Sequence, residues 1–204
     1  MATLATHQSL TYGALKNWWF YPLKFMGACQ FCPTNIETQY EKYGVRYFDI
    51  RINARRDDIL ETAHGFLRFK VDIDKVMEYL NSKGDCFVRL VLEESWEKKN
   101  QEEYDKIFQK HCEYLEKTYP NITFLSGQRK YDGKQLYDFK TQSPSIVELY
   151  SSVTSLFNSD NKFLRVIDDW FPFLYAFIKN KKNYKRYKDS TEYEYLMMDF
   201  IAWH

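Results

Sequence analysis

The stretch Tyr47-Phe48-Asp49-Ile50-Arg51-Ile52 constrains the fold more than any other part of the chain. Its aromatic and β-branched residues predict a strand, and the side-chain period of two puts Asp49 and Arg51 on one face. A carboxylate and a guanidinium sharing a strand face near a polar strand end are what a purely packed core avoids, because buried charges are costly unless paired. This strand is therefore the candidate floor of an active site.

Other short strands converge on it. Met1 to Ala5 is apolar and delivers Thr6-His7-Gln8-Ser9 at its carboxyl end, and Ile59 to Ala63 ends at His64-Gly65. Between the first two strands, Leu10 to Phe31 is crowded with aromatics, read as core or as a lid over it, with docking on an apolar ligand or lipid surface as the alternative for an exposed part. Ile36, Tyr40 and Tyr43 predict a helix capped by Thr34 or Asn35 and stopped by Gly44. Asn53 to Asp58 reads as a charged turn. Asp72 to Ser82 predicts a helix ending at Gly84, followed by the apolar run Cys86–Leu92, which leads into Glu93-Glu94.

Further along, Glu102 to Lys117 predicts a helix with Tyr104, Ile107, Phe108 and Leu115 inward and His111 at the surface or boundary. Ile122–Leu125, Ile146–Tyr150, Phe163–Ile167 and Tyr195–Ala202 read as strands, with a loop from Gly127 to Lys134. The strand at 163–167 leads to Asp168-Asp169-Trp170, and the final strand contains Asp199. The basic stretch Tyr175 to Arg186 reads as a solvated helix face with a buried flank. Alternating strands and helices, with polar residues at the strands' carboxyl ends, predict an α/β fold: a compact, irregular TIM-type (β/α) barrel with some helices short or replaced by loops.

Composition sets limits on this reading. With 204 residues, 45% hydrophobic and 19% aromatic, the chain can bury one substantial core, and one domain over residues 1–204 is expected. Lys and Arg number 29 against 28 Asp and Glu, so a net charge of +1 gives no reason to expect a nucleic-acid partner. Four cysteines are too few for a disulfide framework. Cys29 and Cys32 have zinc or redox spacing but no second pair or nearby histidine, and are read as ordinary thiols. No spanning segment and no leader are visible. A monomer in the cytoplasm is expected, with a secreted form if a leader was removed.

The ordered motifs Thr6-His7-Gln8-Ser9, Gln39-Tyr40-Glu41-Lys42-Tyr43-Gly44-Val45-Arg46-Tyr47-Phe48-Asp49-Ile50-Arg51 and Ala63-His64-Gly65 resemble the catalytic X region of phosphatidylinositol-specific phospholipase C, in its bacterial, metal-independent branch. Beyond residue 94 the similarity is carried by Val166-Ile167-Asp168-Asp169-Trp170 and Met197-Met198-Asp199-Phe200. The resemblance implies an irregular TIM-type barrel and a phosphodiester substrate, with phosphatidylinositol at a membrane surface as the lipid form. In that family an inositol hydroxyl attacks the adjacent phosphorus, which needs a base, an acid and a cation on the phosphoryl oxygens.

By resemblance His7 is the base, His64 the acid and Arg51 the phosphoryl clamp, a task suited to a permanently charged fork of donors. Asp199 orients His7, and Asp49 supports Arg51. Gln8, Glu93, Asp168 and Trp170 are expected to bind substrate. Arg51 stands where the calcium-dependent branch carries an acidic ligand, so no metal and no cofactor is expected.

The chain departs from the family at Gln8, where bacterial members carry Asp; an amide can hydrogen-bond the acid histidine but adds no charge. Glu61, Glu93 or Glu94 is expected to compensate; otherwise the acid step is weaker or the leaving group better than an alkoxide. The related glycerophosphodiester phosphodiesterases open on His-Arg-Gly, which is absent at His7. Two other readings compete: a barrel that binds a phospholipid head group or a protein without turnover, and a structural α/β domain.

Overall fold

The computed structural model describes residues 1–17, 19, 24, 28–30, 33–54, 59–93, 100–150 and 172–203. In chain order its elements are β1 Thr3–Thr6, β2 Ala14–Leu15, α1 Ile36–Glu41, β3 Tyr47–Asn53, β4 Glu61–His64, β5 Leu67–Lys70, α2 Ile73–Lys83, β6 Cys86–Leu92, α3 Gln101–Thr118, β7 Ile122–Arg129, β8 Ile146–Glu148, α4 Pro172–Tyr187 and β9 Tyr195–Met198. A short 3₁₀ turn, Ile201–Trp203, follows the last strand.

Strands β7, β6, β3, β1, β9 and β8 lie side by side in that order, each parallel to its neighbours. The antiparallel β4–β5 hairpin, with β2 at its edge, pairs with the upper end of β3 through Ile52 and Asn53. The fold is thus mixed α/β of the barrel type, as the alternating elements predict.

The closed barrel is not reached: among the described residues no pairing joins β7 to β8. Two local causes are visible. The outer edge of β7 is taken by its own return segment, where Leu136 and Tyr137 both donate to the Gly127 carbonyl and Arg129 donates to that of Lys134. The strand β8 is only three residues long.

The alternation of β3 sorts its side chains into two layers. Phe48, Ile50 and Ile52 join Val88, Leu90 and Leu92 of β6 beneath Ile73, Val76, Met77 and Leu80 of α2 and Phe108, Cys112 and Leu115 of α3. The opposite phase faces inward, where Tyr47 packs with Ala5, Leu125, Tyr150 and Met197 below Asp49 and Arg51. The outer layer supplies the apolar burial that stabilises the sheet, which leaves the inner face available for charge.

Helix α2 begins and ends where its sequence directs. Asp72 accepts from Lys75 N at one end, and Gly84 at the other has φ of 75°, a left-handed conformation that glycine reaches without strain. Asn35 caps α1 by accepting from Thr38 N.

Three expectations need correction. The strand placed at Ile122–Leu125 continues through residues assigned to a loop, to Arg129, by way of a bulge at Ser126-Gly127. His111, expected near the surface, is buried because it extends the inward stripe of α3, four residues after Ile107. The last strand stops at Met198 rather than running to Ala202, since Phe200 turns the chain with φ of 45°. The strand expected at 163–167 lies outside the described residues. No helix among the described residues is long and apolar enough to cross a membrane.

Gly127 combines a positive φ of 71° with a packed environment, because a Cβ there would overlap the Tyr137 carbonyl oxygen. Gly127→Ala should cost about 2–4 kcal/mol of stability. Urea unfolding measures it, and a loss below about 1 kcal/mol would mean that the bulge relaxes freely.

Candidate active site

His7, His64, Glu93 and Asp199 stand at or just past strand ends, and Asp49 and Arg51 stand within β3. The His7 amide makes the last bond of the β1–β9 ladder, donating to the Met198 carbonyl. The chain then bends at Gln8, with φ of 46°. The bend is tied to β3: Gln8 N donates to Asp49 Oδ2 at 3.1 Å and Ser9 N to the Asp49 carbonyl at 2.8 Å. The Gln39 amide closes the loop from outside, accepting from the Thr6 hydroxyl and donating to the carbonyls of Ser9 and Thr34.

The His7 ring is held on three sides. Nδ1 lies 2.7 Å from Asp199 Oδ1, Nε2 lies 2.8 Å from Arg51 Nη2, and one face stacks on Tyr150 at 3.8 Å between centroids. A guanidinium only donates, so Nε2 must accept and Nδ1 must carry the proton that is given to Asp199. The contacts thus select the neutral Nδ1–H tautomer with its lone pair on Nε2.

Arg51 uses all three of its nitrogens. Besides Nη2 on His7, Nε donates to Asp49 Oδ2 at 3.3 Å and Nη1 to Glu93 Oε2 at 3.4 Å. Burial alone would push Asp49 up, but the cations Arg89 and Arg51 outweigh it and hold the carboxyl well below its ordinary range. Arg89 is the largest lowering influence and acts from the neighbouring strand, where the register sets it opposite Asp49; its Nε donates to Asp49 Oδ1 at 2.8 Å and its Nη1 to Glu148 at 2.8 Å.

His64 ends β4, half-buried, and the Gly65 amide that follows it donates to Glu93 Oε1 at 2.8 Å. Glu93 is also reached by Lys130 Nζ at 2.9 Å. Burial raises its pKa, yet Arg51, Lys130 and His64 together bring it down to about 2.

Of the carboxylates expected to make up for Gln8, Glu93 is the one beside His64. Glu61 instead pairs with Lys16, and Glu94 lies outside the described residues. The Gln8 side chain is buried, its Oε1 without a hydrogen-bond partner among the described residues. His7, Asp49, Arg51, Glu93 and Asp199 therefore form one connected network, with His64 at its edge. Asp168 and Trp170 lie outside the described residues.

Because Glu93 titrates lower in the folded chain than the ordinary 4.5, its contribution is complete above about pH 4.5 and is lost as pH falls towards about 2. Wild-type protein should lose more stability between pH 6 and pH 3 than Glu93→Gln does in urea unfolding. Equal losses would place the acid sensitivity elsewhere.

Four contributors escaped the sequence reading. Arg89 had a signal, as the one charge in the apolar run Cys86–Leu92. Tyr150, Lys130 and Gln30 reach the network through tertiary contacts that no local pattern encodes. Among the described residues one donor group is compact enough to share a metal ion, His7, Cys29 and Asp199, whose ligand atoms lie within 4.8 Å of one another. The 2.7 Å His7–Asp199 bond already occupies a nitrogen and an oxygen of that set. Burial and the Asp199 charge push the Cys29 thiol well above its ordinary value, away from the thiolate that binds metal.

The fold is of the phospholipase C-like barrel type. Among solved structures the chain is similar to phosphatidylinositol-specific phospholipase C from Listeria monocytogenes, with a TM-score of 0.57 and 15% identity over 98% of this chain and 88% of that one. A variant of the Staphylococcus aureus phosphatidylinositol-specific phospholipase C aligns with a TM-score of 0.53 and 15% identity, over 98% and 86% of the two chains. The sequence matches no family model and no curated protein.

Proposed function

We propose that the chain is a phosphodiester-cleaving enzyme of the phosphatidylinositol phospholipase C-like type. The observation that carries this reading is the His7 ring, set with Nδ1 2.7 Å from Asp199 and Nε2 2.8 Å from Arg51. A lone pair on Nε2 beside a guanidinium is what a base needs when it serves an anionic phosphodiester.

In the proposed reaction His7 Nε2 takes the proton of a substrate hydroxyl, whose oxygen forms a bond to the neighbouring phosphorus. Arg51 turns its Nη groups to the phosphoryl oxygens as charge builds there. The bond from phosphorus to the leaving oxygen breaks, and His64 protonates that oxygen. The product is a cyclic phosphate, which water opens in a second step.

Asp199 fixes the tautomer of His7 and stabilises the imidazolium that forms. Ionised Asp49, itself anchored by Arg89, holds Arg51 in place. Glu93 supplies beside His64 the negative charge that Gln8 lacks. Asp168 and Trp170 are assigned to sugar contact by resemblance, the carboxylate accepting hydroxyl hydrogen bonds and the ring stacking. Gln8 completes the polar wall, and no metal takes part.

Phosphorus NMR of the products from phosphatidylinositol and from a soluble inositol phosphodiester tests the proposal. A cyclic phosphate formed equally well in EDTA is the expected result. Absence of turnover on both substrates, with binding retained, would replace the enzyme by a barrel that only binds a head group. The orphaned Gln8 Oε1 is the observation on that side.

A further inference from the structure

We propose that Gln30 is a positioning residue for the His7–Asp199 pair, an inference that rests on the functional reading above. The two residues are 192 positions apart. Each is followed by a residue in the left-handed region, Gln8 at φ of 46° and Phe200 at φ of 45°. Neither corner is a glycine, so both conformations are strained and persist only where surrounding contacts impose them. Sharp corners directly after His7 and Asp199 let the two side chains meet past the end of the β1–β9 ladder. They also carry the backbone beyond His7 and Met198 out of the β1–β9 ladder.

Segment 28–30 fills that space, and Gln30 is its pivot. The side chain is almost completely buried, at 1% exposure. Its Nε2 donates to the His7 carbonyl at 3.2 Å and to the Met198 carbonyl at 3.3 Å, while its Oε1 accepts from Ile201 N at 3.2 Å. One amide thus spans the chain on both sides of the dyad, and each of its polar atoms is used. Around it, Cys29 O accepts from Phe200 N, while the amides of Cys29 and Gln30 both donate to Thr11 Oγ1. The Thr11 hydroxyl in turn donates to the Gln8 carbonyl. The bracket therefore grips both strained corners, and the Gln30 side chain itself bonds backbone groups on either side of the dyad, not its ring or carboxylate.

Near-attack geometry tolerates displacements well under 1 Å, and a misplacement of about that size costs about 100-fold. Gln30→Met keeps length and volume but removes the side-chain hydrogen bonds to His7, Met198 and Ile201. It should lower kcat by about 30- to 100-fold with KM within twofold, because substrate contacts stay in place. Gln30→Glu keeps the acceptor for Ile201 N but cannot donate to the two carbonyls when ionised, and should fall as far. The readout that a merely structural role would not move is the ring of His7 in folded protein, followed by nitrogen-15 NMR. Wild type should show one Nδ1–H tautomer, and Gln30→Met a mixture.

A single preserved tautomer in folded Gln30→Met, or an unchanged kcat, overturns the assignment. Inert wild-type protein on both diesters would sink the functional reading instead. The ring spectra would then still decide whether Gln30 orients His7.

Discussion

Replacing His7 with alanine should lower turnover by about 10²- to 10⁴-fold, the range spanned by loss of a positioned general base. The protein should also become less stable, because Asp199 keeps a buried carboxylate whose Oδ1 bond to Nδ1 has gone. The two effects separate under the assay: at temperatures where the variant is fully folded, the rate loss remains. The product ratio of any residual reaction should be unchanged, since Arg51 and His64 are untouched. A variant that keeps more than a tenth of the wild-type rate would transfer the base role elsewhere, and with it the meaning of the selected tautomer.

Arg51→Lys is the second test, and the geometry makes it severe. A lysine has one nitrogen where Arg51 uses three, on Asp49, Glu93 and His7. It can hold one or two of these groups but cannot present a planar pair of donors to phosphoryl oxygens at the same time. A fall of about 10²- to 10³-fold in kcat is expected, comparable to removal of a group that stabilises charge developing in the transition state. Stability should suffer much less, because Asp49 keeps its bond to Arg89 and Glu93 keeps Lys130. A rate within fivefold of wild type would mean that Arg51 serves as a structural counter-ion only.

Much of the frame was legible because it rests on local rules. The run Cys86–Leu92 forms a strand with the bounds its composition predicts, and Asp72 and Gly84 bracket α2 through cap chemistry written in the side chains themselves. The shared face of Asp49 and Arg51 follows from the two-residue period alone.

What was missed depends on neighbours. The β4–β5 hairpin carries alternating Leu67 and Phe69, but its pairing with the upper end of β3 is set by a tertiary register. Arg89 was visible as a charge but acquired its task only when the parallel register set it beside Asp49. The extension of β7 past Ser126 was hidden because two successive positive φ values look like a turn in sequence and act as a bulge in the sheet.

The site stands on two unlike supports. Strand β3 is gripped by β1 on one side and β6 on the other, so Asp49 and Arg51 ride on a stationary support. Strand β8 has a ladder on one side alone among the described residues, and Tyr150, whose ring lies flat against His7, comes two residues after its end. Strand β8 is tied to the imidazole through Tyr150, and to the Asp49 anchor of Arg51 through Glu148 and Arg89. If the proposed reaction holds, the phosphoryl clamp stands on a strand paired along both edges, and the ring that stacks on the base stands just past a strand paired along one.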